Sequence, residues 1–115
     1  MELARRITRL PHAFEPDRGA EARAACPAAE GDLGRLIEGA GGCSPHLLTL
    51  IQKEGDWLPA LFDDPEGAVE GEIHRVAEVA AAALADELRR AKRRVALAIA
   101  LCDLAGAWSL EEVTG

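Results

Sequence analysis

The sequence predicts an all-α protein of about five to six helices that ends in a long basic helix. Composition is the first reason. Ala fills about a fifth of the chain and joins Leu, Arg and Glu as strong helix formers, whereas Tyr and Asn are absent and Phe, Thr and Ile are scarce. Periodicity is the second: from Val69 to Ala105 apolar residues return every three or four positions. Punctuation is the third, because Ser, Asp, Pro and Gly fall where helices begin and stop. At 115 residues, 49% of them hydrophobic, the chain has the size of one domain and can bury a modest core without staples.

Taken in order, Leu3, Ile7 and Leu10 lie at helical spacing over Glu2–Leu10, and Pro11 ends that segment. Residues 11–30 hold Pro11, Pro16 and Pro27, many alanines and few large apolar groups. They read as loop with one short helix near Gly19–Ala25, so residues 1–30 are expected to form a poorly ordered N-terminal helix and loop. The helical part proper is expected over 31–115. Asp32–Ala40 buries Leu33, Leu36 and Ile37, and Gly41-Gly42 is expected to end it. Ser44 as N-cap with Pro45 at the first helical position starts the next helix, whose apolar face is Leu47, Leu48, Leu50 and Ile51 and whose C′ residue is Gly55. Asp56 is positioned to cap a short helix, Trp57–Phe62, with Pro59 in its first turn. Asp63-Asp64-Pro65 marks a turn and a new start.

The long apolar stripe then runs through Val69, Ile73, Val76, Ala80, Leu84, Leu88, Ala91, Val95, Ala98, Cys102 and Ala105. One uninterrupted helix over it would reach about 50 Å. The small Ala80–Ala83 patch and Asp86, a potential cap, fit a break equally well, so one bent helix and two helices are both consistent with the spacing. Gly106 ends the segment. Ser109-Leu110-Glu111-Glu112 then fits a capping box, which announces a further helix and suggests a piece of a longer polypeptide.

Formal charge is −7, from 13 Lys+Arg against 20 Asp+Glu, with Arg outnumbering Lys 11 to 2. The balance argues against general attraction to nucleic acid or anionic lipid, and the few aromatics (Phe14, Trp57, Phe62, Trp108) make no stacking platform for bases. The charges are uneven. Residues 26–83 hold 3 basic and 11 acidic residues, while Arg89, Arg90, Lys92, Arg93 and Arg94 crowd into six positions. The first residues lack the apolar stretch of a secretory signal, and the uncharged run Val95–Cys102 is too short to cross a hydrocarbon layer of about 30 Å. Cys26, Cys43 and Cys102 show no Cys-x-x-Cys spacing and read as three reduced thiols of a cytoplasmic protein, acting as small apolar fillers.

The arginine run is the one constellation with chemical potential. Arg89 and Arg93 share a strip of helix surface, as do Arg90 and Arg94, and these four are the candidate contacts to an acidic partner or to phosphate. The plainer reading has them pairing with Asp86, Glu87 and neighbouring acidic helices. His12, His46 and His74 do not approach a zinc pattern, and Cys43 with His46 supplies no more than two ligands, so no metal site is expected. Asp63-Asp64 and Glu111-Glu112 read as helix-start chemistry, Ser44 as a cap and not a nucleophile, and Gly39-Ala-Gly-Gly-Cys-Ser-Pro lacks the lysine of a phosphate loop.

Two stretches resemble a known family. CSPHLLTLIQKEGDWLPALFDDP, residues 43–65, is similar to the "SPxL…W L…L" region of the glutamine-synthetase adenylyltransferases. ELRRAKRRVALAIALCDLAGAWSLEEVTG, residues 87–115, resembles the basic helix and "DLAG…LEEVT" stretch of that family more closely. The resemblance covers about residues 30–115. It implies a large cytoplasmic bacterial enzyme with two nucleotidyltransferase units. One attaches AMP from ATP to a tyrosine of glutamine synthetase, and the other removes it by phosphorolysis, releasing ADP. Mg²⁺ would serve both reactions, with the PII signal protein and glutamine controlling their balance. Each centre of the family uses a Gly-Ser motif followed by an Asp-x-Asp metal site. Neither motif occurs here.

The resemblance thus implies the leading helical segment of the deadenylylating half, truncated before its nucleotidyltransferase sheet. Such a segment is expected to hold no catalytic residue or cofactor of its own, to be inactive alone, and to brace the rest of its own chain. The competing reading is a stand-alone helical interaction module without enzymatic activity. Binding of nucleic acid by the arginine helix is a third, disfavoured by overall charge.

Overall fold

A computed structural model of the chain describes residues 2–77 and 84–107. They comprise a 3-10 turn, Leu3–Arg6, and six α-helices: α1 (Pro16–Ala25), α2 (Asp32–Cys43), α3 (Pro45–Glu54), α4 (Leu58–Asp63), α5 (Pro65–Ala77) and α6 (Leu84–Leu104). No strand occurs among the described residues, and the protein is all-α as its composition predicts. No helix among them is long and apolar enough to cross a membrane. The core forms where α2, α3, α4 and α6 converge. Leu36, Ile37, Ile51, Leu58, Leu61 and Leu101 have no exposed surface there.

Several local expectations hold. The Ser44 side chain accepts the Leu47 N–H at 3.2 Å, and Pro45 occupies the first turn of α3. A Ser44→Ala variant is expected to lose about 1 kcal/mol, the usual worth of such a cap, in a thermal melt. Pro65 opens α5. Gly106 closes α6 with φ +63°, and the Ala107 N–H reaches back to the Cys102 carbonyl at 2.9 Å, a Schellman ending that only a residue tolerant of positive φ accepts cheaply.

Others are corrected. Glu2–Leu10 is not a helix, because only Leu3–Arg6 winds. Pro11 disfavours helical backbone at Leu10, and the Thr8 and Arg9 N–H groups both donate to the Ala105 carbonyl, at 2.8 and 3.1 Å. Arg9 adds side-chain bonds to the Leu104 and Asp103 carbonyls at 3.3 and 2.6 Å. This stretch therefore satisfies the open carbonyl end of α6 and places a cation at its negative pole.

The helix expected near Gly19–Ala25 begins at Pro16. Gly41-Gly42 does not end α2, which continues through both to Cys43. These glycines serve close approach: a Cβ on Gly41 would lie 2.3 Å from the Ala22 Cβ of α1, and one on Gly42 would lie 2.7 Å from the Ala13 Cβ. Gly55 stays right-handed at φ −53° instead of forming a left-handed cap, and its missing side chain makes room for the Ala25 carbonyl. Asp56 does not cap α4, whose first bond is accepted by the Trp57 carbonyl.

The choice between one long helix and two resolves in favour of two. α5 and α6 lie antiparallel, with Arg75 on Glu87 and Glu72 on Arg94, an arrangement closed to a single rod. Spread over α6 at 21 residues, the basic helix is about 30 Å long. Trp108, Leu110 and the capping box at Ser109–Glu112 lie outside the described residues, as does the Ala80–Ala83 patch.

Candidate functional site

The arginine run lies on the N-terminal half of α6, with α3 and α5 packed alongside. Arg94 is turned inward. Its Nε donates to Glu54 at 2.6 Å, its Nη1 to Glu72, and its guanidinium carbon stands 5.6 Å from the Trp57 ring centroid. One cation thus joins α6 to α3, to α5 and to the residue that opens α4. Arg93 adds a bond to the second Glu54 oxygen at 3.3 Å. Arg75 donates its Nε to Glu72 at 3.2 Å and reaches Glu87 on α6. Glu54 and Glu72 are among the buried residues, 3% and 5% exposed, so these bonds replace the water that two carboxylates would otherwise demand.

Burial acts to raise the Glu72 carboxyl, but hydrogen bonds from Arg75 and Arg94 outweigh it and hold the group below its ordinary range. Burial likewise acts to lower Arg94, and its bonds to Glu54 and Glu72 raise it instead. A carboxyl with a depressed folded pKa contributes stability that is complete above its unfolded value, ordinarily 4.5, and lost as pH falls through the folded value. The urea midpoint is therefore expected to hold from neutrality down to about pH 5 and to decline below pH 4.5, and Glu72→Gln is expected to flatten that decline.

Arg89 and Arg90 are placed differently. Both are exposed and, among the described residues, meet only acids one turn back, Asp86 at 2.7 Å and Glu87 at 3.7 Å. Of the four arginines singled out from the sequence, Arg93 and Arg94 are occupied internally, while Arg89 and Arg90 face solvent. Sequence reasoning did not single out Glu54, Glu72 or Arg75 as partners, and it read Trp57 as a core anchor and not as the ring beside Arg94. The available signal was an acidic block in the same chain as a concentrated basic run.

A second feature lies on the other side of α6. Between α5 and α6 runs a groove of about 540 Å³ whose walls include Ile73, Val76, Leu88, Val95 and Ile99, with Lys92 as its charged member. Much of the apolar stripe that the sequence assigns to one helix face lines it. Ile73 is 60% exposed and Leu88 40%.

The remaining candidates are placed as follows. Ser44 is a cap, and Asp64 precedes α5. Among the described residues no three His, Cys, Asp or Glu side chains are grouped to hold a metal ion. Cys26 and Cys102 are buried, and burial pushes the Cys102 thiol up to about 12. Cys43 is exposed and its thiol donates to the His12 carbonyl at 2.9 Å. Cys43 is therefore expected to react with a thiol reagent in the folded protein, and Cys26 and Cys102 only after denaturation.

The chain is 36% identical over 89 residues to a bifunctional glutamine synthetase adenylyltransferase/adenylyl-removing enzyme of Rhodopseudomonas palustris strain BisB5, a match covering 71% of this chain and 9% of that protein. Proteins of the same description from strains TIE-1 and CGA009 are 37% identical over 98 residues, covering 68% of this chain and 10% of theirs. The chain thus spans about a tenth of the length of the curated relatives it matches. No family model and no solved structure matches it. By sequence, this chain belongs to the family of the bifunctional glutamine synthetase adenylyltransferase/adenylyl-removing enzymes, corresponding to one short segment of them.

Proposed function

We propose that the chain is a non-catalytic helical scaffold segment of an enzyme that adenylylates and deadenylylates glutamine synthetase in nitrogen regulation. The carrying observation is the Arg94 bridge, which commits the most buried arginine of the basic helix to Glu54 and Glu72. A cation paired this way fixes helices and is unavailable to a nucleotide. The sequence supports the same reading, since it has neither the Gly-Ser step nor the Asp-x-Asp pair that the family resemblance associates with metal-dependent transfer. On this reading Mg²⁺ and ATP or ADP are held by other parts of a longer cytoplasmic polypeptide. Glutamine synthetase and the PII signal protein are partners of the whole enzyme. Arg89 and Arg90 remain the surface cations for contact with a partner or with phosphate.

Titration calorimetry of the chain with ATP and with ADP, each with Mg²⁺, is expected to show no saturable heat. Incubation with adenylylated glutamine synthetase and phosphate is expected to release no ADP. Micromolar nucleotide binding, or any phosphorolysis by the chain itself, overturns the scaffold reading.

A further inference from the structure

The groove between α5 and α6 gathers Ile73, Val76, Leu88, Ala91 and Val95 of the apolar stripe together with Ile99, and Ile73, Leu88 and Ile99 stand 60%, 40% and 45% exposed. A soluble monomer seldom leaves side chains of this size together in water. The groove lies between two antiparallel helices, the setting in which a third helix ordinarily packs. Its charge is one-sided. Lys92 is exposed within it and has no carboxylate partner among the described residues. Arg89, one turn earlier on α6, is paired with Asp86 and leaves Lys92 as the groove's uncompensated charge. The acids of this region, Glu54, Glu72 and Glu87, are engaged with Arg75, Arg93 and Arg94 on the inner side of the helix pair.

We propose that the groove seats one amphipathic helix, apolar toward Ile73, Leu88 and Ile99 and carrying a carboxylate opposite Lys92, supplied by the polypeptide that surrounds this segment in its relatives. The relatives are about ten times as long as the matched stretch, which leaves ample chain to supply it. The proposal rests on the scaffold reading and deepens it: the brace acts through this face of α5 and α6, while the arginine–glutamate network on the inner side keeps the two helices at the spacing the guest requires.

Overlapping 20-residue peptides covering the whole R. palustris BisB5 relative are the probe. Binding is followed by NMR of the 115-residue chain, with its oligomeric state measured by sedimentation. The expected result is binding by peptides with apolar residues at i, i+3 or i+4 and i+7 and one acid, with shifts confined to Ile73, Leu88, Lys92, Val95 and Ile99. Ile99→Glu, a surface change that spares the core, is expected to weaken the best peptide by at least about tenfold. Lys92→Glu is expected to weaken it about fivefold and to be rescued when the peptide's acid is exchanged for lysine.

Concentration-dependent dimers that broaden the groove signals would assign the face to a second copy. Groove signals that move on removal of residues 108–115 would assign it to the chain's own end. Either result overturns the proposal, as does an absence of peptide binding. Peptides that bind only at Arg89 and Arg90 overturn the groove and leave the scaffold reading standing. Nucleotide binding in the calorimetric experiment overturns the scaffold reading independently.

Discussion

Replacing Arg94 with Ala is expected to lower the unfolding free energy by about 3–5 kcal/mol, the usual cost of breaking a buried ion pair by removing one partner. The loss is large because of what stays behind. Glu54 and Glu72 are nearly sealed from water, and without Arg94 each retains a negative charge with fewer donors. Arg75 still reaches Glu72 and Arg93 still reaches Glu54, so the charges are not wholly orphaned, but the bond joining α3 to α5 through α6 is gone. Lysine should not restore it. A single ammonium cannot present the planar fork that addresses two carboxylates while lying against Trp57. Arg89→Ala makes the contrast, since an exposed pair with Asp86 one turn away contributes about 0.5 kcal/mol or less. Urea unfolding followed by circular dichroism measures both. For a domain with about 5–15 kcal/mol in total, the Arg94 variant should be visibly marginal at room temperature. A loss below about 1 kcal/mol would mean that water reaches the two glutamates and that the network holds nothing together.

That network also shows which parts of the molecule are legible beforehand. Helix class, the Ser44-Pro45 start, the Pro65 start and the Gly106 stop are local. Each depends on a few consecutive residues and on backbone groups within one turn, so the sequence displays them directly. The burial of Trp57, Leu58, Leu61 and Phe62 at the short helix after Gly55 is legible for the same reason, because large apolar residues at helical spacing have one economical destination.

What cannot be read is non-local. Thr8 and Arg9 give up helix to serve Ala105, 96 or more positions away, and nothing near them announces it. The apolar stripe is real, but its period says only that one face is apolar. Whether that face meets the core or an open groove depends on where the chain doubles back, and Ala98, Cys102 and Ala105 are buried while Ile73 and Leu88 are not. The arginines are conspicuous in the sequence. Their division into two internal and two external cations is set by which α6 positions face Glu54 and Glu72, a matter of helix rotation that charge counting does not resolve.

Glycine is the residue whose local signal misleads most, and one substitution made at two positions exposes why. In a helix interior Gly→Ala ordinarily stabilises by about 1 kcal/mol, through backbone entropy and better propensity. Gly71, exposed on α5 with nothing within 4 Å of where a Cβ would stand, should follow that rule and gain about 0.5–1 kcal/mol. Gly41 on α2 should reverse it. A methyl there would sit 2.3 Å from the Ala22 Cβ, well inside contact distance, and Ala22 is itself fully buried on α1. Neither partner is a flexible side-chain end that can swing aside, so the two helices must separate. Forcing a carbon into a filled interface costs about 1–3 kcal/mol, enough to cancel the propensity gain and leave Gly41→Ala destabilised by up to about 2 kcal/mol. The lost stability should be accompanied by faster amide exchange in α1, whose buried face is Gly19 and Ala22 and which has no large apolar side chain to hold it in place once contact with α2 loosens. Equal stabilisation at both positions would show that α1 and α2 stand farther apart than their glycines and alanines require.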